Sequence, residues 1–507
     1  MKNYYLTELI NNYLMNERVA GWEKEYDMLR FSKDLVCGDV CGEAIIHSIE
    51  TLRWSQDKCI INRNIGCSIQ PPFNGDIVLE GYLTNDINNC RDKILLASAT
   101  DYPDNIWILY NHAVEKGALG VIFYDYYPDR KRRIVINGEW HYSFNESIKS
   151  PIPAVHIKLN DYPSLRRFLE KKISIDLKST IDLAKGYILD ILIEKDPYRE
   201  IIISAHHDSW FTGFRDDGIG LLTILSLAKN LSNKLFTENM PTIRLLSFSA
   251  EEFGDPRNPG WYWAYGSRYY LDKIFNTKDL LTRTLVSIVI DTAFKEHIHV
   301  SYSYPDLGYF FIDKFSMRSN LDGYGHPYMD SISFIRNGIP TITLYNFSET
   351  IPVYHTDLDT PYSGWINFLE KFSLSLLKIA SKLRNENILK PRLIVNELKE
   401  YLPTSRYERL SKYIWDLKDS MDYMHFHSCF AKTLIKPVVF DSYKRLYSDI
   451  HLYPLYMVSR IKDVDKIIIP GEEAILNLRD DDSERLNSLS RYIESMLDEL
   501  EECLIHH

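Results

Sequence analysis

The feature that most limits the fold of this chain is a run of β-branched residues followed by histidine and aspartate. Residues 201–205 read Ile-Ile-Ile-Ser-Ala, which predicts a buried strand of a parallel sheet. His206 and Asp208 come directly after it, and both are residue types that bind divalent metals. A leucine-rich helical pattern begins after Gly218. Because ligands of α/β sheets bind at the carboxyl ends of the strands, this strand–loop–helix unit predicts a metal site at a sheet edge.

Strands and helices alternate from about residue 185 to 385, which predicts a mostly parallel sheet flanked by helices. Metal-binding residue types follow more than one of these predicted strands. Taken alone each has an ordinary explanation, since a lone aspartate at a strand end usually caps a helix. Their recurrence at the same sheet edge favours one shared site. These residues are Glu251 and Glu252 after the strand at 243–247, Asp291 after the strand at 285–290, and His355 within 352–360.

Residues 74–165 are predicted to form an insert. Short apolar strands at 93–97 and 120–124 flank a helix that Gly117 closes as a left-handed cap. This order, continued by Ile152-Pro153-Ala154-Val155, resembles the protease-associated domain, a non-catalytic module that shapes substrate access. Within the insert, the basic run at 130–133 is interpreted as a solvated loop rather than a phosphate site.

The ordered set of metal-type residues resembles peptidase family M28, the co-catalytic zinc peptidases. That resemblance implies a zinc exopeptidase fold with two Zn²⁺ per chain, which share a hydroxide and polarise the substrate carbonyl. Asp217 competes with Asp216 for the bridging position, and the spacing of ten residues from His206 favours Asp216. Carried over by position, His206 and Asp291 would bind one zinc, Glu252 and His355 the other, and Asp216 would bridge both.

The same resemblance implies roles for the neighbouring residues. Glu251 would be the general base that activates water and returns its proton to the leaving amine. Asp208 would orient His206, and Tyr354 would either stabilise the oxyanion or simply pack. Arg215 is expected to pair with Asp217, the alternative being recognition of a substrate carboxylate.

The remaining predictions concern domain organisation. Helices are expected at 23–35 and 43–52, where apolar residues recur at helical spacing. Residues 1–73 are assigned to the N-terminal part of the peptidase domain and 166–390 to its catalytic part. Residues 391–507 are expected to form a helical C-terminal domain that could support a homodimer.

Composition narrows the class of function. The net charge of −11 argues against a nucleic-acid partner, and no stretch is apolar enough to predict a membrane span. The N-terminus lacks the apolar core of a signal peptide, so a cytoplasmic location is expected. The seven cysteines are scattered, with only Cys37 and Cys41 close together; that pair is interpreted as thiols or local packing, and a few disulfides stay open as an alternative. The favoured function is an aminopeptidase acting on peptides or small amides. The alternatives are a carboxypeptidase like glutamate carboxypeptidase II and a non-catalytic scaffold like the transferrin receptor.

Overall fold

The computed structural model of the chain describes residues 3–37, 43–99, 106–136, 151–232, 240–256, 262–275, 283–324, 329–383, 393–394, 396, 399, 404–416, 420–433, 438–441, 449–451, 466–469, 474–477 and 495–504. A large mixed sheet runs through most of this part of the chain. The strands are β1 (Glu43–Ile61), β2 (Ile65–Gly66), β3 (Ser68–Ile69), β4 (Gly75–Thr84), β5 (Lys93–Ser98), β6 (Gly120–Tyr124), β7 (Ala154–His156), β8 (Lys172–Ile193), β9 (Glu200–His206), β10 (Thr242–Phe248), β11 (Thr284–Ile290), β12 (Ile298–Tyr302), β13 (Ser319–Tyr324), β14 (Thr341–Tyr345), β15 (Val438–Asp441), β16 (Asp449–His451), β17 (Lys466–Ile469) and β18 (Ala474–Asn477).

Helices cover both faces of the catalytic part of this sheet. Single turns of π or 3₁₀ type occur at Ile10–Leu14, Ile87–Asn89, Leu159–Asp161, Phe214–Gly218 and Tyr270–Ile274. The α-helices are α1 (Asn3–Leu9), α2 (Glu25–Cys37), α3 (Trp107–Glu115), α4 (Tyr162–Arg166), α5 (Ile219–Ser232), α6 (Tyr265–Tyr269), α7 (Pro305–Lys314), α8 (Ser331–Arg336), α9 (Phe347–Thr350), α10 (Trp365–Leu383), α11 (Thr404–Asp416), α12 (Ser420–Thr433) and a last helix at 495–504.

The centre of the catalytic sheet is β9, which lies between β10 and β11 and runs parallel to both. Ile201 and Ile203 pack into one hydrophobic core, whereas Ile202 packs into the core on the opposite face. A strand buried on both faces needs apolar residues without alternation, which explains the isoleucine run. The predicted α/β fold with a mostly parallel sheet flanked by helices is therefore confirmed.

The long strand β8 connects the catalytic sheet to the insert. Its C-terminal end pairs with β10, its N-terminal half pairs with β4, and β1 runs antiparallel along its other edge. From β4 the sheet continues through β5, β6 and β7 to β3, so the insert is attached by continuous strands. The domain boundaries proposed from the sequence stay predictions.

The helix expected at 43–52 is wrong, because this segment is the first half of β1. Ile45, Ile49 and Leu52 do recur at helical spacing, but the segment is rich in β-branched residues, which favour strands. β8 offers a partner along the whole length of β1, from Glu43 opposite Leu192 to Ile61 opposite Ile175. Tertiary pairing therefore overrides the local periodicity.

The C-terminal region was expected to be helical, but it also contains strands. Helices α11, α12 and 495–504 are present, but β15 to β18 form a separate antiparallel sheet between them. Short β-branched runs such as Val438-Val439 and Ile467-Ile468-Ile469 supply these strands. Among the described residues, none of the helices combines the length and apolar character needed to cross a membrane.

Two disulfide bonds lie among the described residues, a possibility that the sequence leaves open. One links Cys59 to Cys67 within the β1–β3 region, and the other links Cys429 of α12 to Cys503 of the last helix. Sequence spacing does not reveal these pairs because the partners of the second bond lie 74 residues apart. Cys90 is a buried free thiol.

Candidate metal centre and active site

Two histidines and two acidic residues from different loops meet beyond the carboxyl ends of the parallel strands. His206 Nε2 at the end of β9 lies 3.3 Å from Asp216 Oδ1. His355 Nε2 lies 3.2 Å from the other Asp216 oxygen and 3.0 Å from Glu252 Oε2. One ligand atom each from His206, Asp216 and Glu252 falls within 4.8 Å of the others. The structure thus brings together four of the five residues predicted to bind metal, all of them buried.

Asp291 and Glu251 belong electrostatically to the same cluster. Both are buried, Asp291 directly after β11 and Glu251 in the loop that follows β10. Burial raises the pKa of Asp291 to about 8, with Asp216 and Glu252 adding to the rise and His206 opposing it. Burial likewise raises the pKa of Glu251 well above its ordinary value, and the charge of Asp291 contributes. The negative charges of these side chains repel one another, so each carboxyl group holds its proton more tightly than an isolated one does.

The pKa values of the two histidines are also raised, although burial acts on them in the opposite direction. Burial lowers the pKa of His355, but the charge of Glu252 and the hydrogen bond to Asp216 outweigh it and raise the value to about 9. The pKa of His206 also lies well above its usual range, because Asp208 and Asp216 outweigh burial. Against burial, the two histidines together hold the pKa of Asp216 below its usual range. Without a metal, protons on the histidines supply the positive charge that this cluster requires.

The donor atoms of the cluster fit a divalent cation. A buried polar atom without a hydrogen-bond partner is costly, so a group of them at one place indicates a missing ligand. Imidazole nitrogen and carboxylate oxygen are the donors that Zn²⁺ accepts. Within this cluster Glu251 Oε1 and Glu252 Oε1 have no hydrogen-bond partner, and the Nε2 atoms of both histidines face only carboxylate oxygens of the other members.

Asp216, and not Asp217, occupies the bridging position between the two histidines. Its two oxygens face different imidazoles, as the distances above show. Asp217 makes neither of these contacts, and its Oδ1 accepts the backbone N–H of Gly220 at 3.1 Å, at the start of α5. The two adjacent carboxylates therefore divide the roles of bridge and helix cap.

Asp208 holds two loops together, which differs in part from its expected role. The Nδ1 of His206 lies 3.0 Å from the backbone carbonyl of Asp208 and 3.7 Å from its carboxylate, so the carbonyl is the orienting group. The carboxylate instead accepts the backbone N–H groups of Glu251 and Glu252, each at 3.1 Å. Asp208 thereby fixes the acidic pair relative to β9.

Tyr354 lies beside the cluster and Arg215 at its margin. The ring of Tyr354 stacks on His355 with centroids 3.7 Å apart. Burial raises the pKa of Tyr354 well above its usual value, and the charge of Glu252 adds to the effect. Arg215 does not pair with Asp217 as expected; its Nη1 donates to Asp359 at 2.7 Å.

Two residues of the site were missed in the sequence. Asp359 accepts the backbone N–H groups of Arg215 and Asp216, so it holds the bridging segment in place. Its only signal was its position four residues after His355. Arg18 is fully buried and donates to the carbonyls of His207, Thr212 and Gly213, which organises the loop after β9. Its only signal was a charged side chain beside the apolar pair Val19-Ala20.

Half of the basic run of the insert is buried, so its interpretation as a solvated loop is wrong for Arg132 and Arg133, whereas Arg130 and Lys131 are partly exposed. Arg132 and Arg133 are 0 % and 2 % exposed. Arg132 forms a buried ion pair with Asp125 at 3.1 Å. The guanidinium of Arg133 lies 4.8 Å from the ring centre of Trp54 and pairs with Glu17. Specific partners from distant segments, which sequence spacing does not reveal, compensate the cost of burying these charges.

Comparison with known proteins agrees with this geometry. The model of peptidase family M28 matches residues 189–364, the segment that contains β9, β10, β11 and every residue of the cluster. This segment is similar to peptidase family M28, as the sequence predicts. The match supports a metallopeptidase hydrolase.

Individual relatives are distant. The "Probable glutamate carboxypeptidase VP8" of Zea mays is 25% identical over 201 residues, which cover 35% of this chain and 26% of that protein. The chain thus matches about a quarter of the length of this relative. BSAP, a zinc aminopeptidase from Bacillus subtilis, is 19% identical with a TM-score of 0.54, covering 74% of this chain and 93% of that one. A peptidase M28 precursor from Shewanella amazonensis is 18% identical with a TM-score of 0.55, covering 75% and 91%. Both structures share the fold of this chain.

Proposed function

We propose that the chain is a di-zinc exopeptidase, most consistent with an aminopeptidase that acts on peptides or small amides. The observation that carries this proposal is the buried cluster of histidine and carboxylate donors, in which Glu251 and Glu252 each have an oxygen without a partner. The zinc aminopeptidase among the structures of the same fold supports it. In this proposal His206 and Asp291 hold one ion, Glu252 and His355 hold the other, and Asp216 serves both.

The residues of the chain divide the chemistry between them. Bound zinc would act as a Lewis acid that polarises the scissile carbonyl and makes water nucleophilic at neutral pH. Glu251 has an unpartnered carboxylate oxygen in a buried setting, which suits a general base that returns the proton to the leaving amine. The hydroxyl of Tyr354 stays protonated because its pKa is raised, so it can donate a hydrogen bond to the developing oxyanion.

Paired variants test this assignment. Glu251→Gln should keep its zinc but lose roughly 10²- to 10⁴-fold in turnover, since only proton transfer is removed. His355→Ala should instead bind less zinc, because one donor is lost. Zinc per chain is measured by elemental analysis after reconstitution, and turnover on aminoacyl anilides. Normal turnover by Glu251→Gln, or unchanged zinc in His355→Ala, would refute the respective role.

A carboxypeptidase is the second candidate. Its support is the maize relative, a probable glutamate carboxypeptidase, and the guanidinium of Arg215, which is partly exposed beside the bridging segment. The two activities separate on blocked substrates: an aminopeptidase needs a free substrate amine, whereas a carboxypeptidase cleaves N-acyl-glutamate substrates. A protein that binds no zinc and cleaves neither class would favour the non-catalytic scaffold.

The other properties proposed from the sequence extend this picture. We propose that the insert is a protease-associated domain and that the C-terminal region supports a homodimer. The proposed partners are peptide or amide substrates, with no nucleic acid and no membrane. A cytoplasmic location stays a prediction, and the two disulfides weigh against it because such bonds persist mainly in oxidising compartments.

A further inference from the structure

The basic run of the insert lies directly against the loop that carries Tyr354 and His355. The backbone N–H of Arg133 donates to the carbonyl of His355 at 2.9 Å, and Arg132 forms an antiparallel bridge with Thr356. The backbone N–H of Lys131 donates to the carboxylate of Asp357 at 2.9 Å. The insert therefore adds a short strand-like edge to the 351–357 loop.

The side chain of Arg132 strengthens this contact from a buried position. Its guanidinium donates to the backbone carbonyls of Ile351 (3.0 Å) and Tyr354. The opposing charge comes from Asp125, which lies 3.1 Å from Arg132 and 3.6 Å from His156, with all three side chains fully buried. A planar guanidinium held on one side by a carboxylate presents its remaining N–H groups in a fixed direction.

Arg133 contacts the loop that follows the other histidine, His206. Its guanidinium lies 4.3 Å from the ring centre of Phe211 and 5.6 Å from that of Trp210, in the loop that follows His206. Glu17 pairs with Arg133 and also accepts the backbone N–H of Phe211. Adjacent residues of one segment thus contact both loops that carry the histidine ligands.

The contact with His355 has a direct chemical consequence. The Nδ1–H of His355 donates to the carbonyl of Arg133 at 3.1 Å, which leaves Nε2 facing Asp216 and Glu252. A hydrogen bond to the second ring nitrogen sets the tautomer and the ring orientation of a metal-binding histidine.

We propose that Arg132 and Arg133 of the insert are positioning residues of the metal centre, and that they hold His355 and Tyr354 in place. The inference rests on the proposed function, because it assigns His355 to zinc binding. In this proposal the insert supports the loops of the metal centre in addition to bordering the site. Loss of the planar guanidinium of Arg132 loosens the 351–357 loop and weakens zinc binding, although every zinc ligand is still present.

The test compares two matched substitutions, Arg132→Lys and Arg244→Lys. Arg244 is also buried and also pairs with acidic residues, Asp190 at 2.8 Å and Glu200 at 2.6 Å, but it contacts neither histidine loop. Each variant keeps the positive charge and loses the planar guanidinium group with its several N–H donors. The zinc dissociation constant is measured by chelator competition, and the order of the 351–357 segment by hydrogen exchange of the metal-free protein.

We expect Arg132→Lys to raise the zinc dissociation constant by about 10- to 100-fold and to speed exchange in 351–357. Arg244→Lys should change neither, although its thermal stability falls. Equal zinc affinity in the two variants would overturn the inference. If Arg132→Lys does not fold, Asp125→Asn replaces it with the same expectation. Absence of zinc binding by the unsubstituted protein would refute the proposed function instead, and exchange in 351–357 would then decide the positioning role.

Discussion

At the scale of single residues, the site is a set of buried charges that compensate one another. Asp216 stays ionised because two histidines face it, while Asp291 and Glu251 hold protons more tightly than usual. The metal-free cluster therefore binds more protons than the unfolded chain does around neutral pH. A divalent cation would replace those protons, so proton binding and metal binding compete at this site.

The stability of the metal-free protein should fall as the pH rises from about 5 to 9. The pKa of Asp291 is raised to about 8 and that of His355 to about 9, so the folded state is the one that holds protons in this range. Stability decreases with pH wherever the folded state binds more protons, on the order of 1.4 kcal/mol per group and pH unit. Thermal unfolding across this range measures the effect, with the zinc-loaded protein as control. A metal-free protein that is stabilised over the same interval would contradict the coupling.

At the scale of elements, the paired strands β1 and β8 determine how the site is assembled. They span both the catalytic sheet and the insert, so the two parts share backbone hydrogen bonds rather than a linker. That continuity sets the distance between residues 130–133 of the insert and the 351–357 loop. The helix expected at 43–52 would have removed this connection.

A matched pair of substitutions within β1 tests its packing. Ile49 is 2 % exposed and Ile45 is 37 % exposed. Replacing Ile49 with alanine should cost about 2–5 kcal/mol, because it leaves a cavity in the core. Ile45→Ala should cost clearly less, since the Ile45 side chain is already partly exposed to water and its truncation leaves no enclosed cavity. Chemical denaturation measures both, and equal costs would mean that β1 does not pack as described.

At the scale of the whole molecule, the last helix is joined to the other C-terminal helices through covalent and polar contacts, and to the catalytic region through apolar packing. Cys503 is bonded to Cys429 of α12, and Arg409 of α11 donates to Glu501 at 3.0 Å. Apolar residues of the 495–504 helix also pack into the large core of the catalytic sheet. The C-terminal region therefore contributes to the stability of the catalytic part.

The two disulfides should differ in what they contribute. Cross-links that close longer loops restrict the unfolded chain more, by about 2.5 kcal/mol for 8 residues and about 4.4 kcal/mol for 74 residues. Cys429→Ala should therefore destabilise the protein more than Cys67→Ala. Denaturant titration of the oxidised proteins measures both changes, and peptide mapping without reductant checks the pairing. A larger loss for Cys67→Ala would show that the long-range bond contributes little.

The sequence alone determined the fold class and the composition of the site. Uninterrupted apolar runs such as 201–203 specify strands buried on both faces, and strand ends of such a sheet meet at one edge whatever the details of packing. That is why His206, Asp216, Glu252 and His355 could be expected together from their order along the chain. Local patterns carry this information because a strand that is buried on both faces is recognised from its own run of apolar residues.

Tertiary structure decided everything that depends on partners distant in the chain. Segment 43–52 became a strand because β8 offered hydrogen bonds along its length. Arg132 and Arg133 became buried because Asp125, Glu17 and the carbonyls of 351–355 surround them. The free energy of burying a charge depends on the groups that the fold places around it, and sequence spacing does not contain that arrangement.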